Sequence, residues 1–311
     1  MPVALIVLPI FALILAGFVA RRTGALGGGA TRELNRFVVN LALPALLFDI
    51  VAGAEWSEIW RPDFIGAFGL GAAIVFAATV LWRRSRGRPL ADASVDGLNA
   101  AYANTGFLGF PLALAAMGTG MLAPTLIATL ITVCVLFAVA IVLIEVSLQD
   151  GGGDPLKVAG KVALSLARNP LVVAPAMGAV FLVAGWGEPK PLHVFLDLLG
   201  GAATPCALVT LGLFLAEKSE AARPSAGDIA LLTGLKLLAQ PLLTWALAVF
   251  VFRLPPELMH GAVLLALLPT GTGAFMLAQM YGREAALTSR IVLVSTILSA
   301  PLIIGWLSWI G

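Results

Sequence analysis

Charge is what this chain has least of. Only 12% of its 311 residues are Asp, Glu, Lys or Arg, against roughly 25% in a soluble domain, and a water-soluble protein of this size could not hide the apolar remainder. The net charge of +2 is too small to leave a nucleic-acid footprint, so no nucleic-acid partner is expected. Cysteine is nearly absent. Cys134 and Cys206 stand in separate apolar stretches, which excludes a disulfide framework or a cysteine metal site and fits two small buried hydrophobes. The two histidines, His193 and His260, fall at predicted span ends, and no HExxH, GxSxG or intramembrane aspartate pair accompanies them. An intramembrane hydrolase needs such a constellation, so neither enzyme activity, a metal nor a cofactor is expected. A basic leader and a small-x-small cleavage site are also lacking around "MPVALIVLPIFALILAGFVARR". The first apolar run therefore reads as a span that stays rather than as a signal peptide.

What the chain has instead is apolar length. Hydrophobic residues make up 60% and the mean hydropathy is +1.00, the composition of an all-α polytopic protein in a lipid bilayer. A crossing needs about 20 apolar residues. Ten spans are predicted: 3–21, 34–53, 63–82, 95–117, 121–147, 163–185, 192–215, 227–252, 258–280 and 285–310. Fifteen of the 19 Lys and Arg lie in the loops after spans 1, 3, 5, 7 and 9; Arg61, Lys190 and Arg253 lie on the opposite side, and Lys236 lies within span 8. The positive-inside rule then expects the odd-numbered loops in the cytoplasm and both termini outside. Trp56, Trp60, Trp186, Trp306 and Trp309 fall near the expected outer ends and Trp82 near an inner one, as an aromatic belt requires.

A shift of about 161–165 residues brings like features together. Pro9 meets Pro170, Gly17 meets Gly178, "LALP" (41–44) meets "AATP" (202–205), and Arg61-Pro62 meets Arg223-Pro224. "NTGFLGF" (104–110) meets "PTGTGAF" (269–275). The unit is five spans, 1–150 and 163–311 around a polar linker at 151–162. Because five is odd, the second copy enters from the opposite face, which makes two inverted repeats.

Spans 4 and 9 are broken at matched places. "YANTGFLGFPL" (102–112) and "LPTGTGAFMLA" (268–278) place Gly, Pro, Asn and Thr inside apolar stretches. Unpaired backbone is tolerated in a membrane only inside protein or beside water, so the two breaks are expected to meet at the centre. There the half-helix N-termini suit a carboxylate and the C-termini a cation or a donor. The expected substrate-binding residues are Asn104, Thr105, Gly106, Thr270, Gly271, Thr272 and Gly273, with Pro111 shaping the first break. Lys236 is the one basic residue deep in a span, with Gln240 one turn on along the same face. An intramembrane charge is costly and defaults to a functional role. Three roles stay open for Lys236: pairing with an anionic substrate, carrying a proton, or holding half-helix carbonyls. Asn40 before Pro44 and Thr204 before Pro205 either face the crossing or satisfy carbonyls that the prolines free.

These residues resemble a known family. "RNPLVVAPAMG" (168–178), "FLDLLGGAATPCALVTLGLFLA" (195–216), "LKLLAQPLL" (235–243), "LLPTGTGAFMLAQMYG" (267–282) and "YANTGFLGFPL" are similar to the auxin efflux carrier family over essentially the whole chain. That family holds plant auxin carriers and bacterial carriers assigned to malonate, malate and similar carboxylates. The resemblance implies an NhaA-like fold in a bacterial inner membrane. Spans 1, 2, 6 and 7 would form a scaffold that is homodimeric through spans 2 and 7. Spans 3–5 and 8–10 would form a transport domain working as an elevator. It also implies a departure: many bacterial relatives carry Asn where this chain has Gly273.

The function expected is secondary transport of a small organic anion, auxin-like or dicarboxylate, by alternating access at the crossing of spans 4 and 9. Whether a proton, sodium or no ion is coupled stays open. A sodium-coupled symporter of the bile-acid type would need a carboxylate-containing sodium site, which no mid-span residue supplies. A non-transporting membrane sensor would bind ligand without flux.

Overall fold

The computed structural model describes residues 3–53, 55, 60–148, 160, 163–164, 167–168, 170–187, 189–216 and 224–310. The linker predicted at 151–162, residue 160 apart, and Trp56, Lys157, Lys161, Lys218 and Arg223 lie outside the described residues. Among these residues the chain is all-helical, with one isolated antiparallel bridge and no strand. We number the helices α1 Val3–Thr23, α2 Ala30–Ala52, α3 Pro62–Ser85, α4 Leu90–Ala101, α5 Thr105–Met117 and α6 Thr119–Leu148. α7 Pro170–Ala184, α8 Lys190–Leu215, α9 Ala226–Val251, α10 Pro256–Ala266, α11 Thr272–Met280 and α12 Ala285–Ile310 follow.

Six of these, α2, α3, α6, α8, α9 and α12, are long and apolar enough to cross a membrane, while α5 and α7 are shorter apolar helices. The stretches predicted as spans 4 and 9 each divide into two pieces. α4 has 12 residues, α10 has 11 and α11 has 9. At about 1.5 Å per residue none of them bridges a hydrocarbon core near 30 Å.

Proline shapes the helices as well as the breaks. π-helical stretches at Val38–Ala42, Thr105–Gly109 and Leu235–Ala239 each end two residues before a proline, Pro44, Pro111 and Pro241. A proline cannot donate to the carbonyl four residues back and its ring crowds that carbonyl. A local widening of the helix relieves the conflict. Pro205 is handled differently: α8 makes a turn at Ala202, whose carbonyl accepts from the Cys206 N–H.

The chain forms two compact units, Met1–Arg61 with Gly106–Ile127 and Ala167–Lys218, and Pro62–Thr105 with Ala128–Leu166 and Ser219–Gly311. In the first unit α1 packs on α8 and α7 on α2. Both contacts are backbone-close at a glycine. A Cβ at Gly17 would sit 2.1 Å from the Val209 carbonyl oxygen, and one at Gly178 would sit 2.8 Å from that of Phe48. The two contacts correspond under one shift of the chain: 17 and 178 differ by 161, as do 48 and 209. Val38, Ala42, Leu43, Phe107, Ala203 and Ala207 form one core of this unit. Asn40 is exposed and its amide donates to Arg36 O at 2.8 Å, one turn back in its own helix. Pro44 and Thr204 are half-buried, and Pro111 is buried beside Leu112.

The second unit is the larger polar problem. Its core joins Phe76, Val80, Leu98, Tyr102, Leu136, Leu277 and Ile291, yet the same helices bury Asp96, Asn99, Lys236, Gln240 and Thr270. Buried polar groups must be paired to be tolerated, and their partners define the candidate site.

Candidate functional site

The breaks of the two interrupted segments pair with each other through backbone. Ala103 and Thr270 form the antiparallel bridge. Asn104 N donates to Pro269 O and Gly271 N donates to Tyr102 O, both at 2.9 Å. Two stretches that Gly and Pro prevent from being helical thus satisfy part of their backbone as a minimal two-strand crossing, which is what a low-dielectric interior demands.

Side chains lock the crossing. Thr270 Oγ1 donates to Asn99 O at 2.7 Å and Thr270 N donates to Ser295 Oγ at 3.1 Å. Asn99 Nδ2 donates to Thr288 Oγ1 at 3.0 Å. Thr105 Oγ1 lies 3.1 Å from Thr132 Oγ1. Thr132 Oγ1 in turn donates to backbone carbonyls of Ala128 and Thr129, so Thr105 donates to Thr132. The hydroxyls of Thr105 and Thr270, expected on a ligand, are engaged with the protein itself.

The ends of the two broken half-helices are capped from one helix. Lys236 is fully buried and its Nζ donates to Ala266 O at 2.7 Å, the last residue of α10. Gln240 is also fully buried and its Nε2 donates to Ala101 O at 3.0 Å, the last residue of α4. Helix C-terminal carbonyls are orphaned and carry partial negative charge. One turn of α9, loosened into a π stretch at Leu235–Ala239, brings a donor to each. Of the roles open for Lys236, holding a half-helix carbonyl is the contact observed.

What remains unpaired is as informative. Asn104 is 3% exposed and its Nδ2 has no partner among the described residues. At the start of α11 the backbone N–H groups of Thr272 and Gly273 have no partner there either, and both residues are half-buried. A Cβ on Gly106 would meet nothing within 4 Å. Uncommitted donors therefore collect at the crossing, which suits an anion, while two side-chain acceptors beside it, Asn99 Oδ1 and Gln240 Oε1, are also buried without a partner among the described residues.

Some of what holds the site escaped the sequence reading. α4 carries Asp92, Asp96 and Asn99 at i, i+4 and i+7, a polar stripe on one helix face. Asp96, whose side chain is fully buried, meets Arg83 Nε at 2.6 Å and Arg88 Nη2 at 3.2 Å. Arg83 also reaches Asp228 at 2.6 Å, and Arg88 reaches Glu284 at 3.4 Å. Arg83 and Arg88 read from sequence only as loop charges. At the far end of α11 the Tyr281 hydroxyl donates to Glu145 at 3.0 Å. Partial burial and that carboxylate push its phenol up to about 12.

Comparison with known proteins meets this geometry. A family model described as "Membrane transport protein" matches residues 2–307. The chain belongs to the auxin efflux carrier family of membrane transport proteins. A relative from Rhizobium meliloti named "Putative malonate transporter" is 32% identical over 309 residues, covering 97% of this chain and 94% of the relative. The Escherichia coli "Uncharacterized transporter YfdV" is 27% identical over 95% of this chain and 94% of its own length. The rice "Probable auxin efflux carrier component 5c" is 29% identical over 154 residues, 48% of this chain and 41% of that carrier. Members of this auxin efflux carrier family are transporters rather than enzymes, and this member is a multi-pass membrane protein.

Proposed function

We propose that this carrier moves a small organic anion, a carboxylate, across the bacterial inner membrane, binding it where the two broken segments cross. The observation that carries the reading is the buried, unpartnered amide of Asn104 beside a crossing whose carbonyls are already capped by Lys236 and Gln240. Asn104 and the N–H groups of Thr272 and Gly273 hold the carboxylate. Thr105, Thr270 and Gly271 fix the frame within the same compact unit. The malonate named for the Rhizobium relative makes short carboxylates the first class to try.

The same reading takes the protein as ten spans in two inverted five-span repeats, with spans 4 and 9 discontinuous, both termini outside and a homodimer through spans 2 and 7. The basic loops and the 161-residue correspondence of the Gly17 and Gly178 contacts support it. Spans 3–5 and 8–10 would move as an elevator. Flux of radiolabelled carboxylates into proteoliposomes tests the core of the proposal. Asn104→Ala is expected to raise the half-saturating concentration about ten- to hundredfold, the value of a hydrogen bond to a charged group, with the protein still folded. Unchanged flux removes Asn104 from the site.

A further inference from the structure

One polar group at the crossing has no counterpart in the other repeat. Tyr102 precedes the first break, and 165 residues on, at the offset relating Asn104 to Pro269, stands Leu267. The Tyr102 ring is fixed from two sides. Its own carbonyl accepts from Gly271 N at 2.9 Å, and the ring leans on Phe137 with centroids 6.1 Å apart. Its free edge lies along the entrance to α11. A Cβ at Gly271 would come within 2.8 Å of Tyr102 Cε1, and one at Gly273 within 2.5 Å of the Tyr102 hydroxyl oxygen. Real Cβ atoms do not approach so closely, so the ring occupies the space that side chains at 271 and 273 would take. The two glycines and the tyrosine are a matched set.

Tyr102 is 7% exposed, yet among the described residues its hydroxyl makes no hydrogen bond. A buried tyrosine normally finds a partner for that group. The nearby Asn104 amide is unpaired as well. The backbone of Asn104 abuts Gly271, its Cα lying 3.2 Å from that residue's Cβ position, whereas the phenol hydroxyl abuts Gly273, two residues further along.

We infer that Tyr102 is a specificity-determining residue of this site, its hydroxyl donating to the second carboxylate of a short dicarboxylate while Asn104 holds the first. The inference rests on the transport reading above. A monocarboxylate leaves the phenol unpaired when it fills the site, and a site that loses a hydrogen bond in this way rejects the shorter ligand. Gly273 is then required because any side chain there displaces the hydroxyl.

The test uses the purified full-length chain in liposomes, with malonate and acetate as competing probes and the ratio of their half-saturating concentrations as the readout. Tyr102→Phe keeps the ring over both glycines and removes only the hydroxyl. It is expected to lower the malonate-over-acetate preference by about tenfold, the value of one hydrogen bond. Gly273→Ala, whose methyl meets the hydroxyl oxygen, lowers the same ratio. An unchanged ratio in Tyr102→Phe, or equal weakening of both acids, overturns the assignment while leaving the transport reading standing. If the wild-type protein takes up neither acid nor any other carboxylate, the transport reading fails and this inference with it.

Discussion

The two broken segments are built to the same plan and finished differently. Each leaves a half-helix whose last carbonyl lies at matched positions, Ala101 and Ala266, and each carbonyl accepts a donor from α9. At the first it is the amide of Gln240, at the second the side-chain nitrogen of Lys236. The first half-helix is anchored at its middle by the Asp96 ion pairs, whereas α10 carries no ion pair among the described residues. The first break supplies Asn104 and Tyr102, and the second supplies glycines that make room for them. Holding the crossing together and reading the ligand are thus separated: the second segment is capped by Lys236, and the first is anchored by ion pairs and presents the polar side chains.

The comparison can be broken most forcefully at the anchor. Asp96→Ala leaves the buried Arg83 and the half-buried Arg88 without that carboxylate, and removing one partner of a buried pair costs about 3–5 kcal/mol. A thermal melt in detergent should show the largest drop of this series. A drop no bigger than that of a surface substitution would mean the anchor is not structural. Lys236→Met comes next. It keeps bulk but abandons the Ala266 carbonyl, at a cost of about 1–3 kcal/mol for an unsatisfied buried acceptor. Lys236→Gln sharpens the point, because it imitates the cap that the first break already uses. If it restores stability and leaves the pH profile of transport unaltered, neither charge nor proton transfer is needed at residue 236. Gln240→Leu should be the mildest, about 1 kcal/mol, since it strands the Ala101 carbonyl but also removes the unpaired Gln240 Oε1; a larger loss than that of Lys236→Met would reverse the ranking of the two caps.

How much of this could be read beforehand varies by residue. The breaks at 104–111 and 269–273 were legible because Gly and Pro disturb helices wherever they occur. Lys236 was legible because an isolated charge in a span demands a partner, although the sequence could not choose among three partners. Tyr102 was not legible: an aromatic residue beside apolar neighbours looks like packing, and only the clearance of Gly271 and Gly273 shows where its hydroxyl lies. Asp96 was hidden by apolar averaging over its window, although its i, i+4 spacing from Asp92 was there to see. Asn40 looked like a partner for the crossing, but a short polar side chain in a helix readily bonds the preceding turn, and Arg36 O takes its amide.

The antiparallel bridge between Ala103 and Thr270 has a thermodynamic consequence. The polar atoms proposed to grip the ligand, from Tyr102 to Asn104 and from Thr272 to Gly273, are joined by backbone hydrogen bonds within one compact unit. Under the elevator movement proposed above, a grip assembled within one body need not be dismantled when that body changes the side it faces, and its intrinsic affinity would be alike from either compartment. Net direction would then be set by the concentrations and the voltage that the membrane maintains, and the same carrier would run as importer or exporter according to those gradients.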